Sequence, residues 1–151
     1  MIDRNSRNTL AEVLRHYVSG LVTNDDLDDV EVDWRDRGAV AVKGRAWSLY
    51  SDNYQHRAIE KHYLQKPARE EIGHWILFLH SDLEYMWPDY SFVQTYNRPF
   101  NILTLGWWEL QKKKKFDEFM AAGDFSVWPF LSKQDYEASL EHPRFFAGQH
   151  A

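Results

Sequence analysis

Glu70 and His74 stand four residues apart, and so do His80 and Glu84. On a helix that spacing sets each carboxylate beside its imidazole, an arrangement that can hold a metal ion or relay a proton. Asp52 and His56 form a third acid–histidine pair of the same kind. Glu71-Ile72-Gly73-His74 also spells E-x-x-H, half of the ligand set of helical di-iron sites, which need a second copy on another helix and further glutamates. The chain holds no second copy. Glu70, His74, His80, Glu84, Asp52 and His56 are therefore the candidates for a metal or acid–base site. The plainer reading is a set of surface pairs worth a few tenths of a kcal/mol each, and it is favoured, so no metal, cofactor or catalytic residue is assigned. Asp82 is a different case. Helical geometry sets it near Trp75, Phe78 and Met86, where a carboxylate must find a partner or stay protonated. It is the candidate buried polar or pocket residue.

These residues belong to the stretch Pro67–Pro88, around which the chain is organised. Proline suits the first helical turn and cannot continue a helix at its far end. At 100° per residue, Ala68, Ile72, Trp75, Ile76, Leu79, Leu83 and Met86 share one side. The spacing predicts a buried central helix over about 68–87, with the apolar run Trp75–Leu79 covered from more than one flank. That run is too short to span a membrane, which takes roughly 20 apolar residues.

With 151 residues the chain is read as a single domain, 1–151, with loose ends at about 1–7 and 143–151. Seven Trp, eight Tyr and nine Phe supply material for an aromatic core, while the mean hydropathy of −0.63 requires polar faces around it. A net charge of −5 argues against nucleic-acid binding, which rests on basic contacts to phosphate. No cysteine is present, so disulfides and thiolate chemistry are excluded. The opening MIDRNSRNTL lacks the apolar stretch of a signal peptide, and the expected compartment is the cytoplasm.

Around the central element the expected fold is mainly α, a compact irregular helical domain. Thr9 is a candidate cap for a helix from Leu10 to Ser19 that stops at Gly20. Thr23 and Asp26 resemble a capping box for a short helix, Asn24 to Val30. Seven acids and one base lie between Asp25 and Asp36. An EF-hand counted from Asp29 would need glycine and glutamate where Trp34 and Val40 stand, so calcium is rejected. The acids read first as a solvated face and second as a docking surface for a basic partner.

For residues 30–45 the reading adopted is a helix from about 39 to 56, with Ala46, Trp47, Tyr50 and Tyr54 on one face. A hairpin pairing Val30, Val32 and Trp34 with Val40 and Val42 is the alternative. A short extended piece is expected near 90–96, then a helix from Leu103 to Ala122 contacting through Leu105, Trp108, Phe116, Phe119 and Met120. Lys112–Lys115 wrap around that helix and serve solvation. Phe125–Phe130 is an aromatic–proline turn over the core, and Ser132 caps a last helix to Leu140.

No phosphate-binding, dinucleotide, H-E-x-x-H or G-x-S-x-G motif occurs. His80-Ser81-Asp82 cannot converge as a triad, because adjacent helical side chains diverge. HWILFLHSDLEYMWP and DFSVWPF are similar to stretches in small uncharacterised bacterial proteins of like length. That resemblance covers the central and C-terminal parts and brings no activity or residue role with it. The expected function is a non-catalytic bacterial protein-interaction protein, immunity- or adaptor-like, with Trp107 and Trp108 as a candidate interface. The rivals are a metal-dependent or acid–base enzyme and a small-ligand binder with an aromatic pocket.

Overall fold

The fold is mainly α, and α1, Arg4–Val18, is its first element. In the computed structural model the described residues are 1–49, 54–90 and 107–141, with the backbone alone for 107–110. Helix α1 begins six residues before Leu10, because Asp3 rather than Thr9 is its cap: the Asp3 carboxylate accepts from the Ser6 amide at 2.8 Å. Residues 4–7 are thus helical, not loose, and Arg7 is completely buried. Leu10, Ala11, Leu14 and Tyr17 form the core side, and the helix stops at Gly20, whose φ of 74° suits glycine. Helix α2, Asn24–Asp28, carries the expected Thr23/Asp26 capping box.

Helix α3, Arg37–Ala46, starts two residues before the expected boundary and stops well short of 56, passing into a 3₁₀ turn over Trp47–Leu49. The hairpin alternative is overturned: among the described residues there is no strand, only an isolated bridge between Thr23 and Arg57. Asp36 decides the start of α3. Its Oδ1 accepts from the Gly38 and Ala39 amides at 3.0 and 3.2 Å, the N-cap geometry that satisfies otherwise orphaned donors. Of the expected apolar face Ala46 is buried, Trp47 and Tyr54 are exposed, and Tyr50 lies outside the described residues.

Helix α4, Lys66–His80, is the central element, with Pro67 in its first turn and Ile72, Trp75, Phe78 and Leu79 buried. It ends seven residues earlier than the spacing predicts. Ser81 turns extended (φ −79°, ψ 162°), and its Oγ donates to the Phe78 carbonyl at 2.7 Å. The released carbonyls are taken by α1. Arg4 donates to Leu79 and Ser81 at 3.0 and 2.7 Å, and Arg7 to Leu83 at 2.9 Å. Cations at a helix C-terminus are favourable in themselves.

From Glu84 to Pro88 burial alternates with a period of two rather than 3.6. Tyr85 and Trp87 face inward, while Leu83 and Met86, expected in the core, are exposed. This strap seals against the turn Phe125–Pro129. The Trp87 indole donates to the Pro129 and Phe130 carbonyls, each at 3.1 Å, and the Trp128 indole donates to the Tyr85 hydroxyl at 3.2 Å. Trp75 meets Trp128 edge-on at 6.1 Å between ring centroids, and Phe78 meets Phe130 at 5.5 Å. The turn covers the core as expected, and the Trp128–Pro129 peptide is cis.

Helix α5, Trp107–Ala121, buries Phe119 against Trp87 but leaves Phe116 and Met120 exposed, contrary to expectation. All four lysines of the run are exposed. Helix α6, Lys133–Glu141, is capped by Ser132, whose Oγ accepts from the Asp135 amide at 3.2 Å. The expected extended piece near 90–96 lies outside the described residues save Tyr90, as do Leu105 and the 143–151 tail. No helix among the described residues is long and apolar enough to cross a membrane.

Arg7 and Asp36 are both fully buried, joined by Nε–Oδ2 and Nη2–Oδ1 bonds of 2.7 and 3.0 Å. Removing one partner leaves the other charge uncompensated. Asp36→Asn or Arg7→Met should lower unfolding free energy by about 3–5 kcal/mol in urea titrations, with the double replacement Arg7→Met/Asp36→Leu losing less. Gly44 and Gly73 are helical, and an added Cβ would meet nothing within 4 Å. Gly44→Ala and Gly73→Ala should each raise stability by about 0.5–1 kcal/mol in the same assay.

Candidate functional site

Among the described residues, the Glu70/His74 and His80/Glu84 pairs do not assemble into one centre. At the first, Glu71 is engaged by Arg45, with Oε1–Nη2 at 2.9 Å, and Glu70 faces Lys66 at 3.6 Å. His74 is half-buried, its ring edge-on to Tyr136 at 4.8 Å. Glu70 and His74 do border a common groove of about 280 Å³, together with Arg45, Ser126 and Trp128. A second, more open groove of about 560 Å³ lies on the other side of Glu70, against Val18, Tyr63, Arg69 and Ile76.

The His80/Glu84 pair is divided by the helix end, since four-residue neighbours meet only while the helix continues. Glu84 pairs with the Met1 amino group at 3.1 Å. His80 is half-buried at the end of α4, near enough to Arg4 and Arg15 to feel both charges. Asp82, placed in the core by helical spacing, is exposed on the strap and faces Arg4 at 3.6 Å. Among the described residues no aromatic pocket surrounds it, because the strap turns Asp82 outward.

His56 sits in a ring cluster that pairwise spacing could not reveal. Its Nε2 lies 3.1 Å from the Tyr17 hydroxyl, and its ring centroid is 4.4 Å from that of His62 and 5.5 Å from that of Tyr54. Asp52 and the Trp107 and Trp108 side chains lie outside the described residues. Among those described, no group of three or more His, Cys, Asp or Glu side chains could hold a metal ion.

A different surface emerges from the segment 25–47. Lys43 donates to the Val30 carbonyl, tying the acidic segment alongside α3. Asp28, Lys43 and Trp47 also border one small hollow. Val40 and Gly44 stand four residues apart on the outward side of α3, with Val40 exposed and Gly44 opening onto empty space, and Trp47, exposed as well, follows in the 3₁₀ turn. Trp34, just before the Asp36 cap, is 81 % exposed. The sequence signal for this surface was an indole inside an acidic run, which hairpin pairing would have turned inward.

Comparison with protein-family models, with curated proteins and with solved structures finds no match.

The titrating groups set a pH profile. Burial pushes His62, His74 and His80 below the ordinary imidazole value. His56 and Lys61 add to the effect at His62, and Arg4 and Arg15 at His80, while Glu71 and Glu70 oppose it at His74. The fold therefore favours the neutral rings, and the unfolded chain takes up protons first as pH falls. Their contribution is full above about pH 6.5 and declines as acidification proceeds through the unfolded value. At Asp36 burial opposes ionisation, but the bonds from Arg7, Asp3 and Ala39 outweigh it and hold the carboxyl below its usual range. Asp33, gripped by Arg35, is held at about 2. Carboxylate stabilisation is thus retained down to about pH 4 and lost below. Urea midpoints measured against pH should show two separate declines, and His74→Gln/His80→Gln should flatten the upper one.

Proposed function

We propose that this chain is a non-catalytic protein-interaction protein, of the immunity or adaptor kind expected from a bacterial cytoplasm, and that it docks through the outer face of α3 together with Trp34. The supporting observations are the indole of Trp34, 81 % exposed in the segment leading into α3, and an outward side of α3 on which Val40 is exposed and Gly44 opens onto empty space. Tryptophan buries a large area at little conformational cost, and it is enriched where partners make their strongest contacts. Water is a poor neighbour for these apolar groups, whereas a second protein surface would remove them from solvent. Gly44 adds a place where a partner backbone can approach closely.

An acid–base enzyme at Glu70 and His74 is the second reading, and it draws on the groove those two residues share. Burial keeps His74 neutral at physiological pH, suited to accepting a proton. Its neighbour Glu71, however, is held by Arg45.

Affinity capture from bacterial lysate with the wild-type chain and with Trp34→Ser/Val40→Asp separates these readings. A defined partner should be retained by the wild type and lost by the variant. Both positions are exposed, so the variant's unfolding free energy should stay within about 0.5 kcal/mol of the wild type. Identical capture by both proteins, or a loss produced instead by His74→Gln, would reject the α3 face as the docking surface.

A further inference from the structure

We propose that the open groove between the end of α1 and the first turns of α4 binds a small amphipathic carboxylate, an acid whose single negative group is carried on an apolar chain. The groove encloses about 560 Å³, within the range of small-ligand sites. No residue of α3 lines it, so the site is separate from the docking face proposed above and does not rest on it. Its lining changes character along α4. Lys66 and Arg69 come first, beside Tyr63, and Ile72, Gly73 and Ile76 follow over about 15 Å of helix. Ile72 is buried, and Val18 and Ile76 are partly buried against the hydrophobic core, so they form an apolar floor.

The cationic end offers an anion both charge and fixed donors. Arg69 donates through Nη1 to the Tyr63 hydroxyl and lies 5.5 Å from the centroid of that ring, so its fork is held at the groove wall. A hydroxyl acceptor does not cancel the guanidinium charge, and no described carboxylate pairs with Arg69, which leaves Nε and Nη2 for a ligand. Gln65 gives α4 no side-chain cap, and its first turn holds no acid, so the positive end of the helix adds to Lys66 and Arg69. Against them stands Glu70, which borders the groove and faces Lys66 at 3.6 Å. Glu60 and Lys61, just before Tyr63, contribute one charge of each sign, and Arg15 in the last turn of α1 is a further cation. The balance is modestly positive, suited to one carboxylate rather than to a multiply charged phosphate that Glu70 would repel. Helix formation does not ask for this pattern. Lys66 and Arg69 are set against the dipole of their own helix. Gly73 lowers helix propensity where an added Cβ would meet nothing within 4 Å, and a side chain there would stand in the groove that the glycine lines. An amphipathic acid uses all three features, its carboxylate on the Arg69 fork and its chain laid past Gly73 onto Val18 and Ile76.

The test titrates decanoate, decyltrimethylammonium and acetate onto the full chain by isothermal titration calorimetry, below the concentrations at which the long chains self-associate. Decanoate should saturate a single site and bind about tenfold or more tightly than either the cation of equal chain length or the acid without a chain. Arg69→Met should weaken decanoate about tenfold, Gly73→Leu should abolish its binding by filling the groove, and Glu70→Gln should strengthen it. Arg69 and Gly73 are exposed, so the urea midpoints of their variants should match or exceed that of the wild type. Comparable binding of the cation, no saturable binding of decanoate, or an affinity unchanged by Arg69→Met or Gly73→Leu would overturn the proposal. Tighter binding of a short peptide that ends in leucine with a free carboxylate, lost when that end is amidated, would keep the groove and discard the small acid as its occupant.

Discussion

The guanidinium of Arg7, shut away from water, is the constraint on which the architecture depends. It reaches Asp36 at the start of α3 through two bonds, and Ser81 and Leu83 beyond the end of α4 through another edge. It also lies 5.0 Å from the centroid of the Phe78 ring. One side chain thus fixes three helices at a point where backbone groups would otherwise be stranded. An ion pair in such a place gains little over a well-packed apolar substitute. Its value lies in direction: the same guanidinium meets Asp36 at the head of α3 and the Ser81 and Leu83 carbonyls beyond α4 at once. Gly38 shows how tightly the site is drawn, because a Cβ there would fall 2.8 Å from Phe78 and 2.9 Å from the Arg7 Nη2.

The second constraint is aromatic. The strap after α4 and the turn before α6 are joined by indole donors, Trp87 to Pro129 and Phe130, and Trp128 to Tyr85. The Tyr85 hydroxyl, pushed up to about 12 chiefly by burial, remains a neutral group in this setting. The indoles of Trp87 and Trp128 thereby find partners inside the core, which lets two irregular segments pack there without the ladder of a sheet, whereas the buried Trp75 N–H meets no acceptor among the described residues.

Much of this was legible in residue spacing, and what was not has a physical cause. The start of α4 and its buried Ile72, Trp75 and Leu79 followed from proline and from period, as did the Thr23/Asp26 box and the stop at Gly20. Those signals are local. The end of α4 was misplaced because Leu83 and Met86 happen to continue the helical period, while what releases the backbone comes from Arg4 and Arg7, more than 70 positions away in the chain. Arg7 and Asp36 were overlooked for a related reason: charged residues are rarely buried, and only tertiary pairing makes them so. The candidate site fared less well than the fold. Four-residue pairing assumed an uninterrupted helix, which His80 and Glu84 do not share, and Asp82 was read on a face that ceases to exist at Ser81. The exposure of Trp34 depends on Asp36 capping α3 instead of the segment pairing as a hairpin.

The order in which the Arg7 site is completed has a consequence for biosynthesis. Arg7 and Asp36 leave the ribosome well before Ser81 and Leu83, so a growing chain can form the charged half of the site while its carbonyl partners are still unmade. Until the strap emerges, water must solvate the edge of the guanidinium that Ser81 and Leu83 cover in the complete fold. Burial of that edge is therefore tied to arrival of the residues that terminate α4, which couples closure of the N-terminal half to translation of the middle of the chain.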